Sequence, residues 1–193
     1  MTSVVTFLNT RKQSGSKPLD VAVGRVEISG IFRLRICNTY ERLPQELSNK
    51  YCGYLLLIQP YIAFKSNVLV TEGRADIPLT INDLARIWNV SKRTARTIID
   101  EFELRSILFE ADGVFTLNSR YHFRKKTGGD VDALIKTYFT TLKSFNMTAA
   151  DLGFVYKPLP YVHYETNLIC ADPFAEDHEI WFLNDKEIGE VIG

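Results

Sequence analysis

The spacing of apolar residues changes several times along the chain, and each change marks a predicted element. Residues 21–38 alternate, with Val26, Ile28, Ile31, Phe32, Leu34 and Ile36 among polar partners and Gly30 in the middle. A period of two predicts two short strands or a hairpin. The preceding stretch 11–18 (RKQSGSKP) is polar and broken by Gly and Pro, as a loop or flexible arm would be. From 47 to 64 the apolar positions Leu47, Tyr51, Tyr54, Leu55 and Ile58 approach helical spacing. They predict a mostly buried helix that Pro60 interrupts or ends, because proline lacks the N–H of the next turn. Residues 67–70 (NVLV) then read as a short strand.

Residues 79–117 carry a denser signal. Thr80 suits an N-cap, and Asp83 three residues later completes a capping-box-like pair. Leu84, Ile87 and Trp88 form the apolar face of that helix, which should end near Asn89, a residue that tolerates a left-handed conformation. Val90 plugs the turn, and Ser91 caps a second helix over 92–104. There Ala95, Ile98, Ile99 and Phe102 repeat at i, i+3, i+4 and i+7, the stripe of a core-facing helix. Two short apolar strands, 107–109 and 114–117, then flank Asp112-Gly113, a strong hairpin signal. Helix, turn, helix and hairpin in this order spell a winged helix-turn-helix. The expected fold class is therefore α+β, mostly helical, with an N-terminal β-hairpin element.

An internal match adds to this. Residues 60–69 (PYIAFKSNVL) recur as 160–169 (PYVHYETNLI), and Leu79, Leu84 and Ile87 find counterparts in Leu183, Ile188 and Val191 after a four-residue insertion. This predicts a partial second winged-helix-like repeat. Its copy stops at Gly193, where the next helix should begin, so a truncated or vestigial second unit is expected. The organisation implied is 1–128 as N-terminal strands plus winged helix, 129–148 as a linker or dimerising helix, and 149–193 as an acidic partial repeat.

Composition changes the picture in one respect. Charged residues make up 24% and apolar ones 46%, as in a soluble globular protein. Apolar runs such as 54–58 are too short to span a bilayer, and the amino terminus lacks the pattern of a secretory signal. Cys37, Cys52 and Cys170 are an odd, scattered set, which points to a reducing, cytoplasmic setting. The formal charge is zero, which by itself would argue against a nucleic-acid partner. The mean hides a gradient: nine acids and two bases in 151–193 give −7, leaving +7 on the first 150 residues. The second helix of the pair repeats this in miniature. Lys92, Arg93 and Arg96 lie at its amino-terminal end, and Asp100, Glu101 and Glu103 come later. That order opposes the macrodipole preference, so self-stabilisation does not explain it. It suits a recognition helix whose amino-terminal residues meet double-stranded DNA.

The residues Leu79-Thr-x-x-x-Leu-Ala-x-x-Trp-x-Val-Ser-x-Arg-Thr-Ala-Arg96, with Gly113-Val-Phe-Thr-Leu-Asn-Ser-Arg-Tyr-x-Phe-Arg124 after them, carry a resemblance. This quarter of the chain resembles the winged-helix domains of plasmid and phage replication initiators and replisome organisers of Gram-positive bacteria. The resemblance implies sequence-specific DNA binding in replication initiation. Arg93, Thr94, Arg96 and Thr97 are then the candidates for base-edge contacts. Thr80, Ser91, Lys92, Arg120, Arg124, Lys125 and Lys126 are the candidates for phosphate contacts. Tyr121 either packs or offers its hydroxyl to the backbone. The hairpin departs from the pattern: it carries Glu110 and Asp112 where a basic residue usually enters the minor groove. That shifts the load to the bases at 120–126.

No phosphate loop, HExxH or nucleophile elbow occurs, and His122, His163 and His178 lack metal-ligand spacing. Neither a catalytic activity nor a cofactor is expected. Two competing readings stand beside the initiator. A transcriptional regulator would bind an operator as a homodimer through residues 130–145. A protein-interaction adaptor would use the winged helix, or the acidic C-terminal segment, to hold a protein partner.

Overall fold

The computed structural model describes residues 8–9, 31–36, 47–71, 77–124, 133–138 and 147–193 apart from 164, 174 and 177; strands 8–9, 31–36 and 133–138 are described by their backbone. It is an α+β fold. In chain order the elements are β1 (Leu8–Asn9), β2 (Ile31–Ile36), α1 (Asn49–Ile58), α2 (Ile81–Ile87), α3 (Lys92–Leu104), β3 (Leu108–Ala111), β4 (Val114–Leu117), β5 (His122–Phe123), β6 (Ala133–Tyr138), α4 (Ala149–Tyr156) and α5 (Asp185–Ile192). Short 3-10 turns, Gln59–Tyr61 and Leu159–Tyr161, follow α1 and α4. No helix among the described residues is long and apolar enough to cross a membrane.

Local chemistry accounts for the helical part. Helix α1 buries Cys52, Gly53, Tyr54, Leu55, Leu56 and Ile58, and it gives way to the 3-10 turn where Pro60 enters. Thr80 and Asp83 form the reciprocal capping box of α2. Asn89 takes the left-handed conformation, with φ 52°, that reverses the chain after α2, and Ser91 caps α3 through the Thr94 N–H. The core stripe of α3 is the expected one, Ala95, Ile98, Ile99 and Phe102. Phe102 packs edge-on against Tyr51 and Trp88, and the Trp88 indole N–H donates to the Tyr54 carbonyl at 2.9 Å. Strands β3 and β4 form an antiparallel hairpin turned at Asp112 and Gly113, with φ 51° and 75°. Val68 adds a bridge to Thr116 on the open side of β4.

The strands outside this hairpin form a four-stranded sheet in the order β1-β6-β2-β5. Strand β2 lies where alternation placed one. Its described partners are β5 and β6, both antiparallel, and the other half of the expected hairpin, 21–30, lies outside the described residues. The dimerising helix expected within 129–148 requires correction. Where it is described, at Ala133–Tyr138, the chain is strand β6 with β1 on one side and β2 on the other. The run around Ile135, Thr137 and Tyr138 is β-branched and aromatic, side chains that lose χ1 freedom in a helix and fit a pleated sheet. A homodimer through a helix at 130–145 is dropped with it.

The two stretches that match in sequence share one hydrogen-bonded framework. The N–H of Ala63 donates to the Val68 carbonyl and that of His163 to Leu168, both at 2.8 Å. Val70 N–H donates to Tyr61 and Cys170 N–H to Tyr161, again both at 2.8 Å. Asn67 and Asn167 both take positive φ, 60° and 59°. Thr148 with Asp151 and Asn184 with Glu187 complete capping boxes on α4 and α5. Helices α1 and α4 pack against each other, and their contact is reciprocal. A Cβ on Gly53 would overlap the Ala149 carbonyl, and one on Gly153 would overlap the Asn49 carbonyl. Each contact is the other with both residue numbers shifted by the same 100, the signature of a two-fold relation between the helices.

A buried polar node ties α1, α4 and β5 together. The His122 ring is inaccessible to solvent; Nε2 lies 2.8 Å from the Tyr156 hydroxyl and the Gln59 amide reaches Nδ1 at 3.3 Å. A neutral imidazole has one N–H. The Gln59 Nε2 donates to Nδ1, so the single ring proton sits on Nε2 and faces the Tyr156 hydroxyl, while Gln59 Oε1 is buried with no partner among the described residues. Burial pushes the His122 pKa down to about 3, whereas an unfolded histidine titrates near 6.5. Because the folded value is depressed, the stabilisation is complete above about pH 6.5 and declines as pH falls towards 3. Between pH 7.5 and 5 it should fall by about 2 kcal/mol. Chemical denaturation at the two pH values should show this loss in the natural chain and its absence in His122→Gln.

Candidate nucleic-acid interface

Helix α3 divides its two ends between two tasks. Its buried stripe fixes the helix on the core, which leaves Lys92, Arg93, Arg96 and Thr97 exposed. Two of the three acids of its second half are engaged within the fold, and Asp100 is exposed. Glu101 pairs with Arg105 at 2.7 Å, and Glu103 accepts the Glu110 N–H at 3.0 Å. Lys92 and Arg93 take part in no ion pair among the described residues. They stand at the amino terminus of a 13-residue helix, where the peptide dipoles already present positive charge. Two free cations are thus added to the positive end of a helix, where they lower its stability and raise its attraction for an anion.

Arg96 is one turn further on, and its guanidinium is held. It donates through Nη1 to Glu110 Oε2 at 2.5 Å, from α3 across to β3 of the hairpin. Glu110 therefore acts locally as an internal substitute for an anion at the exposed face. Glu110, an unexpected acid for a hairpin at this place in the sequence, gains its partner only when the hairpin folds back along α3. Any ligand that uses Arg96 must first displace this contact. An exposed pair of this kind is worth about 0.5–1 kcal/mol. Glu110→Ala should accordingly tighten binding to a polyanion such as DNA about two- to fivefold, read by fluorescence anisotropy, and Arg96→Ala should abolish that gain.

The hydroxyl candidates are largely engaged in holding the backbone. Thr80 Oγ1 donates to Asp83 Oδ2 at 2.6 Å, inside the capping box. Those same hydrogen bonds hold the Asp83 carboxyl below its usual range. Ser91 Oγ and Thr94 Oγ1 lie 2.9 Å apart and Ser91 accepts the Thr94 N–H, while Thr97 Oγ1 donates back to the Arg93 carbonyl at 3.3 Å. These residues set where the helix begins, and through it where Lys92 and Arg93 point.

Beyond the hairpin, Arg120 is exposed, with its N–H on Asn118 Oδ1 at 2.9 Å. Arg124 is half-buried and its Nη1 donates to the Ile62 carbonyl at 3.2 Å, so part of its charge serves the fold. Tyr121 packs against the core. Lys125 and Lys126 lie outside the described residues. Asn67 was missed as a positioning residue. Buried, with Nδ2 donating to the Leu117 and His122 carbonyls at 3.2 and 2.8 Å, it fastens both ends of the segment carrying Arg120. Its recurrence as Asn167 was the available signal.

Among the described residues, no group of three or more His, Cys, Asp or Glu residues is placed to hold a metal ion. Cys52 is buried, and burial pushes its thiol up to about 12, which leaves it unreactive. A cleft of ≈ 410 Å³ opens between the turn after α4, at Lys157 and Tyr161, and α5, but Lys157, the buried charge on its wall, spends its ammonium on the Ile192 carbonyl at 2.7 Å. No known protein family matches the sequence, and no curated protein and no solved structure is similar to it.

Proposed function

We propose that this protein binds double-stranded DNA in a sequence-dependent way, and that it serves replication initiation of a phage or plasmid. In this reading α2, α3 and the β3–β4 hairpin form a winged helix, and α3 is the recognition helix. The observation that carries it is the division of α3: Glu101 and Glu103 are engaged within the fold behind, while Lys92 and Arg93, in no ion pair among the described residues, stand on its exposed amino-terminal turn. Lys92 would take a phosphate. Arg93 would reach a base edge, and so would Arg96 once Glu110 releases it, arginine on guanine being the commonest specific pairing. Arg120 and Arg124 would extend the phosphate contacts beyond the hairpin. The acidic hairpin tip, with Glu110 and Asp112, would stay out of the minor groove.

Selection of bound sequences from a random duplex pool tests the proposal. An enriched consensus is expected, with direct repeats if the role is initiation. Inverted repeats alone would move the role to transcriptional regulation. Failure to shift random DNA even at low salt would remove DNA as the ligand and favour a protein partner at the same face.

A further inference from the structure

The four-stranded sheet gathers cations that lie far apart in the chain. Strands β2 and β6 pair so that Arg33 stands directly opposite Lys136, and on its other side Arg33 stands opposite Phe123 of β5. Arg35 follows two residues on, opposite Leu134. With a period of two, Arg33, Arg35 and Lys136 share one face of the sheet. Phe32, Leu34, Ile36 and Ile135 share the other. That is the face of His122, which is opposite Leu34 in register and closed in the node with Gln59 and Tyr156.

The row continues past the edge strand. Arg124 directly follows β5, and its carbonyl accepts the Lys65 N–H at 2.7 Å. The loop that carries Lys65 is fixed in place. Buried Asn67 accepts the Arg124 N–H on Oδ1 at 3.4 Å and donates from Nδ2 to the His122 carbonyl at 2.8 Å. At the tip Lys65 takes a left-handed φ of 72°, and Lys65 and Ser66 are exposed. Phe64 beside them is 50% exposed, with the Lys65 ammonium 5.8 Å from its ring centroid. Lys136, Arg33, β5 and Lys65 thus lie on neighbouring backbone segments about 5 Å apart, a band roughly 15 Å across.

Fold stability does not account for this band. Cations directly opposite each other in an antiparallel pair destabilise it, and a left-handed backbone is unfavourable for a lysine. The matching loop carries Glu165 where this one carries Lys65. Both loops keep the bonds from Ala63 to Val68 and from His163 to Leu168, so that frame does not need a cation. Cations spaced a strand apart and ending at an exposed aromatic ring are the components of a single-strand site. The charges hold successive phosphates, and an unpaired base stacks on the ring. A duplex offers phosphates but keeps its bases stacked, so Phe64 is the feature that favours a single strand.

We propose that the row Lys136, Arg33, Arg35 and Lys65, ending at Phe64, binds single-stranded DNA at a site separate from the amino-terminal turn of α3. It does not depend on α3 acting as a recognition helix.

The test uses the whole chain and a fluorescein-labelled oligothymidylate of about twelve nucleotides, followed by anisotropy. Binding is expected at about 50 mM salt, with a slope of log affinity on log salt near −3, from four phosphate contacts at about 0.7 each. Lys65→Glu should flatten that slope by about 0.7, and Phe64→Ala should weaken binding about fivefold or more. An abasic oligomer of the same length should bind more weakly, and the natural chain and Phe64→Ala should bind it equally. Arg33→Gln with Lys136→Gln should weaken oligothymidylate binding about tenfold or more, while the melting temperature holds or rises. Lys92→Glu with Arg93→Glu should cost the oligothymidylate far less than duplex DNA. Absence of oligothymidylate binding, or unchanged affinity in the Lys65 and Phe64 variants, would overturn the site. Duplex DNA that competes better than the oligothymidylate, and loses affinity in those same variants, would make the row a duplex surface and overturn the single strand. Oligothymidylate binding without duplex binding would uphold this site and remove α3 as a recognition helix.

Discussion

Replacing Gly53 by alanine should cost about 3 kcal/mol or more and lower the melting temperature by roughly 10 °C or more, with Gly153→Ala behaving alike. The sign is informative because it runs against helix propensity. Alanine in place of a helical glycine normally gains up to about 1 kcal/mol. At Gly53 the added Cβ would meet not a movable side chain but the Ala149 backbone carbonyl, and at Gly153 the Asn49 carbonyl. A backbone can escape only by moving the helix. Separation of α1 from α4 would uncover Leu152 and Tyr156, and would break the Tyr156 contact with His122. Gly189, in α5, has nothing within 4 Å of the corresponding position. Gly189→Ala should therefore stabilise slightly, by up to about 1 kcal/mol. Thermal melts of the three variants beside the natural chain decide the matter. A Gly53→Ala protein as stable as the Gly189→Ala one would show that the helices do not cross as described.

A glycine inside a helix looks like a local weakness, and its reason here lies 100 residues away. Carrying the match between 60–69 and 160–169 upstream pairs Gly53 with Gly153 and Tyr54 with Phe154, so the signal was present, but only long-range packing gives it meaning. The legible features were those decided within a few residues: the Thr80–Asp83 box, the Ser91 cap, the Asp112-Gly113 turn and the core stripe of α3. Strand β6 was misread for the opposite reason. Its apolar spacing was compatible with a helix, and its pairing with β2 from the far end of the chain overrode that reading. The candidate interface divides the same way. Lys92 and Arg93 are legible as cations on an outward face, since nothing distant engages them among the described residues. Arg96 is not, because its state depends on Glu110 arriving across the hairpin.

Reversing the charge at Lys92 and Arg93 together should separate stability from function. Lys92→Glu with Arg93→Glu places two anions on the first turn of α3, where the helix dipole favours them by about 0.3–1 kcal/mol each. No ion pair among the described residues is lost, and both side chains are exposed. The folded protein should thus melt at the same temperature or a few degrees higher. DNA binding should move the other way and much further. Losing two cationic contacts flattens the dependence of log affinity on log salt by about two units, and the added repulsion should bring the total loss to roughly 100-fold or more at 0.1 M salt. Binding isotherms at several salt concentrations, set beside a melt of the same samples, read both effects. A general misfolding defect would lower both quantities. A helix that is merely solvated would gain stability and leave affinity where it was. Only a recognition surface that holds these charges against the preference of its own helix gives the opposed pair of changes.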